Sequence, residues 1–141
     1  QNLKVHTMNY IVKSDDVNWQ PKFFPNEEQQ YGEFKPLWQI HGMEQIEVRI
    51  TKIPAQGTHT KYHTHTKEEE WFYVLEGSCH VNIEGQWEKV ATGDSIYKPP
   101  GIFHIFRNFG DQPCVVIMLG TNIEGNEVLR TNEPAPPVDL D

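Results

Sequence analysis

The chain has 141 residues, of which 37% are hydrophobic and 23% charged, with a formal net charge of -8. This length suits a single domain with an enclosed core, the composition excludes a disordered chain, and no apolar run approaches a membrane span. An acidic chain without a clustered basic stretch also excludes nucleic acid and an anionic membrane surface as partners.

Residues 1–7 are polar and lack the apolar run of a signal peptide. Gln1 is not an initiator; Met8 is a candidate start behind an appended remnant, and a leader already removed is the other reading. Residues 1–42 form an irregular arm in which Trp19, Phe23, Phe24, Tyr31, Phe34 and Trp38 alternate with Pro21, Pro25 and Pro36. So many large rings must bury area, either on their own barrel or on a second subunit. From Met43 to residue 125 the dominant period is two. Ile46-Glu47-Val48-Arg49-Ile50 and residues 79–83 alternate, whereas Val115-Val116-Ile117-Met118-Leu119 is continuously apolar and predicts a strand buried on both faces. Glu76-Gly77 and Glu84-Gly85 read as tight hairpins, and Pro99-Pro100-Gly101 forces a turn before His104. Short strands joined by such turns predict an all-β sandwich or barrel of antiparallel strands. Residues 126–141 are a tail, proline-rich and acidic from residue 133 onwards, expected as an extended strap or a loose end. Cys79 and Cys114 lie inside apolar runs and read as small buried residues, not a disulfide; free thiols point to a cytoplasmic protein.

Two motifs carry the chemistry: Gly57-x5-His63-x-His65-x4-Glu70-x6-Gly77 and Gly93-x5-Pro99-x-Gly101-x2-His104-x3-Asn108. Three imidazoles and a carboxylate suit a first-row divalent metal. In a strand, residues two apart face the same way, so His63 and His65 share a face, and Glu70 shares one with Phe72 and Val74. With every fixed position filled, the pair of motifs resembles the signatures of the cupin superfamily across residues 57–108. The resemblance implies a double-stranded β-helix, or jelly-roll barrel. It further implies that His104 joins His63, His65 and Glu70 from a neighbouring strand to hold one divalent transition metal ion, Fe or Mn first, with Zn, Ni and Cu also admitted.

Glu68 and Glu69 read as a solvated turn before Glu70. His59 reads as a loop or rim residue, and His6, His41 and His80 as structural. Arg49 faces either the cavity, where it would hold a substrate carboxylate, or solvent. Lys98, where relatives of this pattern carry an aliphatic residue, points either into the cavity or along the barrel mouth to water. Candidates for proton transfer are Glu70, Lys98 and Tyr97, with Phe72, Val74, Phe106 and Ile83 as the apolar lining. The leading function is a metal-dependent enzyme acting on a small-molecule metabolite, of oxygenase (dioxygenase-like oxidoreductase) type or an isomerase, decarboxylase or lyase. The alternative is a non-catalytic, metal-assisted binding or sensor module, and a storage role is disfavoured by the intact ligand set. The aromatic arm and the exposed edges of an open sandwich predict a homodimer.

Overall fold

A computed structural model describes residues 10–24 and 26–140. Met8 and His6 lie outside the described residues, as does Pro25 of the arm. Strands β1 (Gln20–Phe23) and β2 (Gln30–Lys35) precede a short helix α1 (Leu37–His41). Then come β3 (Ile46–Ile53), β4 (His63–His65), β5 (Glu70–Glu76), β6 (Ser78–Ile83) and β7 (Gln86–Ala91). The chain closes with β8 (Ser95–Lys98), β9 (His104–Arg107), β10 (Cys114–Thr121) and β11 (Val128–Arg130).

The strands form two antiparallel sheets, one of six strands in the order β1-β2-β3-β10-β5-β8 and one of five in the order β11-β4-β9-β6-β7. This is the expected jelly roll. Alternation builds the core between the sheets: Phe72 and Val74 of β5, Val81 of β6, Phe106 of β9 and Val116 of β10 are all buried, while Trp71 and Leu75 of β5 point outwards. Ile83 packs at the edge of this core. Among the described residues no helix is long and apolar enough to cross a membrane.

Two local expectations need correction or refinement, and a third is met. Glu76-Gly77 is not a hairpin, because β5 and β6 belong to different sheets. Gly77 instead turns the chain from one sheet to the other at φ 81°, and a Cβ there would lie 2.6 Å from the Pro113 carbonyl oxygen. Glu84-Gly85, by contrast, is a two-residue hairpin with both φ angles positive, 50° and 85°, closing Ile83 against Gln86. The run in β10 is buried on its inner face, but Ile117 and Leu119 on the outer face are only half-buried. That face of the six-stranded sheet also carries Val48, Trp71, Tyr73 and Tyr97, so it is apolar and, among the described residues, left partly exposed.

The described part of the arm extends its own barrel: β2 pairs with β3, and β1 pairs with β2. Trp19 receives the ammonium groups of Lys52 and Lys35, 4.3 and 4.9 Å from its ring centroid. The tail behaves as a strap. Its β11 pairs with β4, Arg107 forms an ion pair with Glu133, and Trp87 Nε1 donates to the Ala135 carbonyl at 2.7 Å. Cys79 and Cys114 are free and buried.

Candidate metal centre

Strand parity delivers the motif residues to one point. His63 of β4 stands directly opposite His104 of β9, their rings 4.6 Å apart, and the His65 ring is 4.9 Å from that of His63. Glu70 opens β5 on the facing sheet. Its Oε1 lies 3.6 Å from His65 Nε2 and 3.9 Å from His104 Nε2. Ligand atoms of His63, Glu70 and His104 fall within 4.8 Å of one another, as do those of His65, Glu68 and Glu70. The structure thus brings together all four residues assigned to the metal.

The hydrogen bonds around the rings aim their lone pairs inwards. His63 Nδ1 lies 2.7 Å from the Lys61 carbonyl, which only accepts, so Nδ1 carries the proton and Nε2 is left free to coordinate. His65 Nδ1 lies 3.0 Å from Glu68 Oε1, an arrangement that orients the ring and raises its basicity. Among the described residues both nitrogens of His104 are buried without a hydrogen-bond partner, and Glu70 Oε1 makes no hydrogen bond beyond its 3.5 Å approach to Lys98 Nζ. Buried polar atoms left this way are costly unless something else satisfies them. Orphaned donor atoms on a three-nitrogen, one-oxygen set fit a divalent transition metal.

Glu68 is therefore not part of a solvated turn. It is buried, and its backbone N–H donates to Asn126 Oδ1 at 2.8 Å, which pins the turn and sends the carboxylate inwards. Glu69 is the exposed member of the run, and its carboxylate accepts a hydrogen bond from Tyr97. Tyr97 consequently lies outside the cavity, 55% exposed. It cannot share the cavity with Lys98, since neighbours on a strand face opposite ways. Lys98 is the inward member: it is fully buried, with Nζ 3.5 Å from Glu70 Oε1 and donating to the Pro99 carbonyl. His59 is likewise no rim residue. It is buried, its ring 5.6 Å from His104, and its Nδ1 accepts from the Phe106 N–H. His80 packs on Phe109, as a structural residue should.

The apolar lining also differs from expectation. Phe72 and Phe106 form the floor beneath His104. The cavity itself, about 110 Å³, is walled by Lys22 and Phe24 of the arm, Arg49 of β3, Met118 of β10, and Val128 and Arg130 of the tail. Arg49 thus faces the cavity. No motif marks Lys22 or Arg130; the pairing of β11 with β4 brings Arg130 to the cavity, and Lys22 reaches it from β1 at the edge of the six-stranded sheet. A larger groove of about 490 Å³ lies between the arm, Pro54 and the strap, away from the histidines.

Gly120 on β10 faces Glu68 so closely that a Cβ would overlap Glu68 Oε2. Because the obstructing group is the end of a flexible side chain, Gly120→Ala should move Glu68 off His65 and leave the fold standing. Metal affinity, measured by competition with a chelator, is expected to fall roughly 10- to 100-fold, the usual worth of such an orienting carboxylate.

Burial sets the electrostatics. It pushes His63 down to about 3 and His65 to about 4, and takes His59 and His104 well below the ordinary imidazole value. Burial, helped by Glu70, pushes Glu68 up to about 7, and it raises Glu70 against the pull of Lys98 and Arg49. In metal-free protein between about pH 6.5 and 4.5, the unfolded chain gains protons on four histidines that the folded chain refuses. Stability therefore falls as pH falls in this window. Glu68, protonated in the fold and ionised in the unfolded chain, opposes this, and the raised Glu70 acts in the same sense, but the two are outnumbered. Urea unfolding of chelator-treated protein should show lower stability at pH 5 than at pH 7; equal or greater stability at pH 5 would contradict the assignment.

The comparisons with known proteins agree with this fold. The family model of the cupin domain matches residues 49–120, half of the chain. An uncharacterized protein of Methanocaldococcus jannaschii is 34% identical over 65 residues, covering 46% of this chain and 52% of that one. The chain thus spans about half the length of that relative. A sugar phosphate isomerase of Silicibacter pomeroyi superposes with a TM-score of 0.79 over 87% of this chain and 82% of that chain, at 19% identity. The polyketide cyclase RemF of Streptomyces resistomycificus superposes with a TM-score of 0.72 over 85% and 83%, at 24% identity. At such identities these two establish the likeness of fold alone. With both motifs filled, their residues gathered between two jelly-roll sheets and the family model matching half of its length, the chain belongs to the cupin domain family.

Proposed function

We propose that this cupin is a metal-dependent enzyme that rearranges or cleaves a small metabolite by proton transfer, in the manner of an isomerase or lyase. The observation that carries the reading is the buried Lys98–Glu70 pair, 3.5 Å apart, beside the convergent histidines. His63, His65, Glu70 and His104 would hold the metal, which when bound supplies Lewis-acid polarisation of a substrate oxygen. The chain's own groups do the rest. Glu70 takes a proton from the substrate, and the Lys98 ammonium holds the developing negative charge and returns a proton. Phe72, Phe106 and Met118 keep bulk water from the reacting atoms.

The reading is tested by incubating Mn-, Fe(II)- and Zn-loaded protein with a panel of hydroxy acids, keto acids and sugar phosphates in D2O. Proton transfer should appear as deuterium entering a substrate carbon without oxygen consumption. Oxygen uptake confined to the Fe(II) form would assign the protein to the dioxygenase class instead, and neither signal would favour a binding module.

The protein acts as a homodimer joined through the outer face of the six-stranded sheet, not through the aromatic arm, which is occupied with its own barrel. What supports this is the apolar run of β10, whose sequence calls for burial on both faces while Ile117 and Leu119 remain half-exposed. Trp71 and Tyr97, paired across β5 and β8, continue the patch. Ile117→Lys should convert a dimer into a monomer by light scattering, because the lysine places a charge in the middle of the buried face. A wild type that is monomeric at all concentrations, or a dimeric variant, would refute this interface.

A further inference from the structure

We infer that the mouth of the metal centre is an oxyanion clamp, formed by Lys22, Arg49 and Arg130, that selects a small anionic substrate bearing a carboxylate or a phosphate. The inference rests on the reading of this cavity as the active site. In a chain with 20 acidic against 12 basic residues, the cavity wall places two guanidinium groups and a lysine, which burial and Arg49 bring down to about 7, against a single carboxylate, that of Glu70. The metal would add further positive charge, so a neutral or cationic substrate would leave the mouth uncompensated.

Each cation is placed there by a specific feature of the backbone. Register on β1 shifts between Pro21 and Phe23, and Lys22 sits at that irregularity, half-buried between exposed neighbours. Bulges beside active sites commonly re-aim a side chain in this way. Its Nζ donates to the His59 carbonyl at 2.8 Å, which holds it over the histidines. Arg130 stands opposite His63 in the β11–β4 ladder, and cross-strand partners share a face, so the guanidinium follows the imidazole towards the cavity. It lies over the Phe24 ring at 4.7 Å, and among the described residues it makes no ion pair. Arg49 shares the inward parity of Thr51 and Ile53, stacks at 5.4 Å on Trp38, and has a buried Nε with no hydrogen-bond partner among the described residues. Its nearest carboxylate, Glu47, is 4.0 Å away. Two guanidinium forks and an ammonium suit the oxygens of a carboxylate or phosphate, which they can engage in pairs. The arm and the tail thus serve as the specificity walls of a centre whose metal ligands all come from the motifs.

The test is calorimetric titration of inorganic phosphate and of malonate into metal-free and zinc-loaded protein, comparing wild type with Lys22→Met and Arg130→Gln. Wild type should bind at least one of the two anions in the millimolar range, and each variant should weaken binding about tenfold in both forms with zinc content unchanged. Preference for phosphate would point to a phosphate ester as substrate, and preference for malonate to a carboxylate. Equal affinity in wild type and both variants, or no binding of either anion by wild type, would overturn the clamp. A wild type that fails to hold zinc would refute the metal reading separately, and the metal-free titrations would still decide the clamp.

Discussion

Replacing His63 and His104 together by alanine is expected to abolish metal binding, lowering affinity by well over about 100-fold, since even the groups that merely orient a ligand are worth roughly 10- to 100-fold. The two rings lie 4.6 Å apart on directly paired residues, so losing both removes two of the three imidazoles and leaves His65 and Glu70 with only Glu68, whose carboxylate is already engaged by His65 Nδ1. The pair is also the cleanest probe because both side chains are buried where a metal would satisfy them. Among the described residues His104 has no hydrogen-bond partner on either nitrogen. Folding linkage supplies an independent readout. A ligand present at about 100 times its dissociation constant stabilises the fold by about 2.7 kcal/mol, which for a domain of this size raises the melting temperature by roughly 10 °C. Wild type should show that rise with zinc and lose it with a chelator, whereas the double variant should melt at one temperature under both conditions. Unchanged metal content in the variant, measured by elemental analysis, would remove these residues from the site.

The parts of this site that could be read from the sequence are those governed by strand parity and fixed spacing. His63 and His65 face inwards because they are two apart on β4, and Glu70, Phe72 and Val74 do so because β5 alternates without interruption. Where the backbone departs from regular alternation, the sequence was a poor guide. Glu68 precedes β5 in a turn, where parity has no meaning, and its direction is fixed by Asn126, 58 positions away. Lys22 is aimed by an irregularity in strand pairing that no local pattern announces. Arg130 reaches the cavity only because the tail returns to pair with β4, a long-range contact that composition cannot reveal. The Gly77 crossing was misread for a related reason, since a glycine with positive φ serves a hairpin and a passage between sheets equally well. Lys98 was legible only as two alternatives. In the structure, alternation with the buried Ile96 and the position of Glu70 opposite it in the β5–β8 ladder place it inside.

That pairing makes Lys98→Met the most informative single change, with an expected cost of about 3 kcal/mol in metal-free protein at roughly pH 8, because it strands the Glu70 carboxylate in the interior without its ammonium. Methionine fills most of the lysine stem's volume, so cavity formation adds little. The penalty should depend on pH in a definite direction. Burial already raises Glu70 above the ordinary carboxylate range, and Lys98 is the strongest group holding it down. Without Lys98 the folded protein binds a proton on Glu70 that the unfolded chain, ionised above about pH 4.5, does not. The variant therefore loses stability relative to wild type as pH rises, and the gap should close to below about 1 kcal/mol near pH 5, where a neutral Glu70 no longer needs a partner. Removing Lys98 also lets His63, His65 and His104 rise, since its charge helps to hold them down, and this closes the gap in the same direction as pH falls. Zinc should close the same gap at pH 8, because a bound divalent ion replaces the missing ammonium as the carboxylate's counter-charge. Urea unfolding at the two pH values, with and without zinc, measures all four quantities. A penalty that is independent of both pH and zinc would mean that Lys98 acts by packing alone and has no electrostatic tie to Glu70.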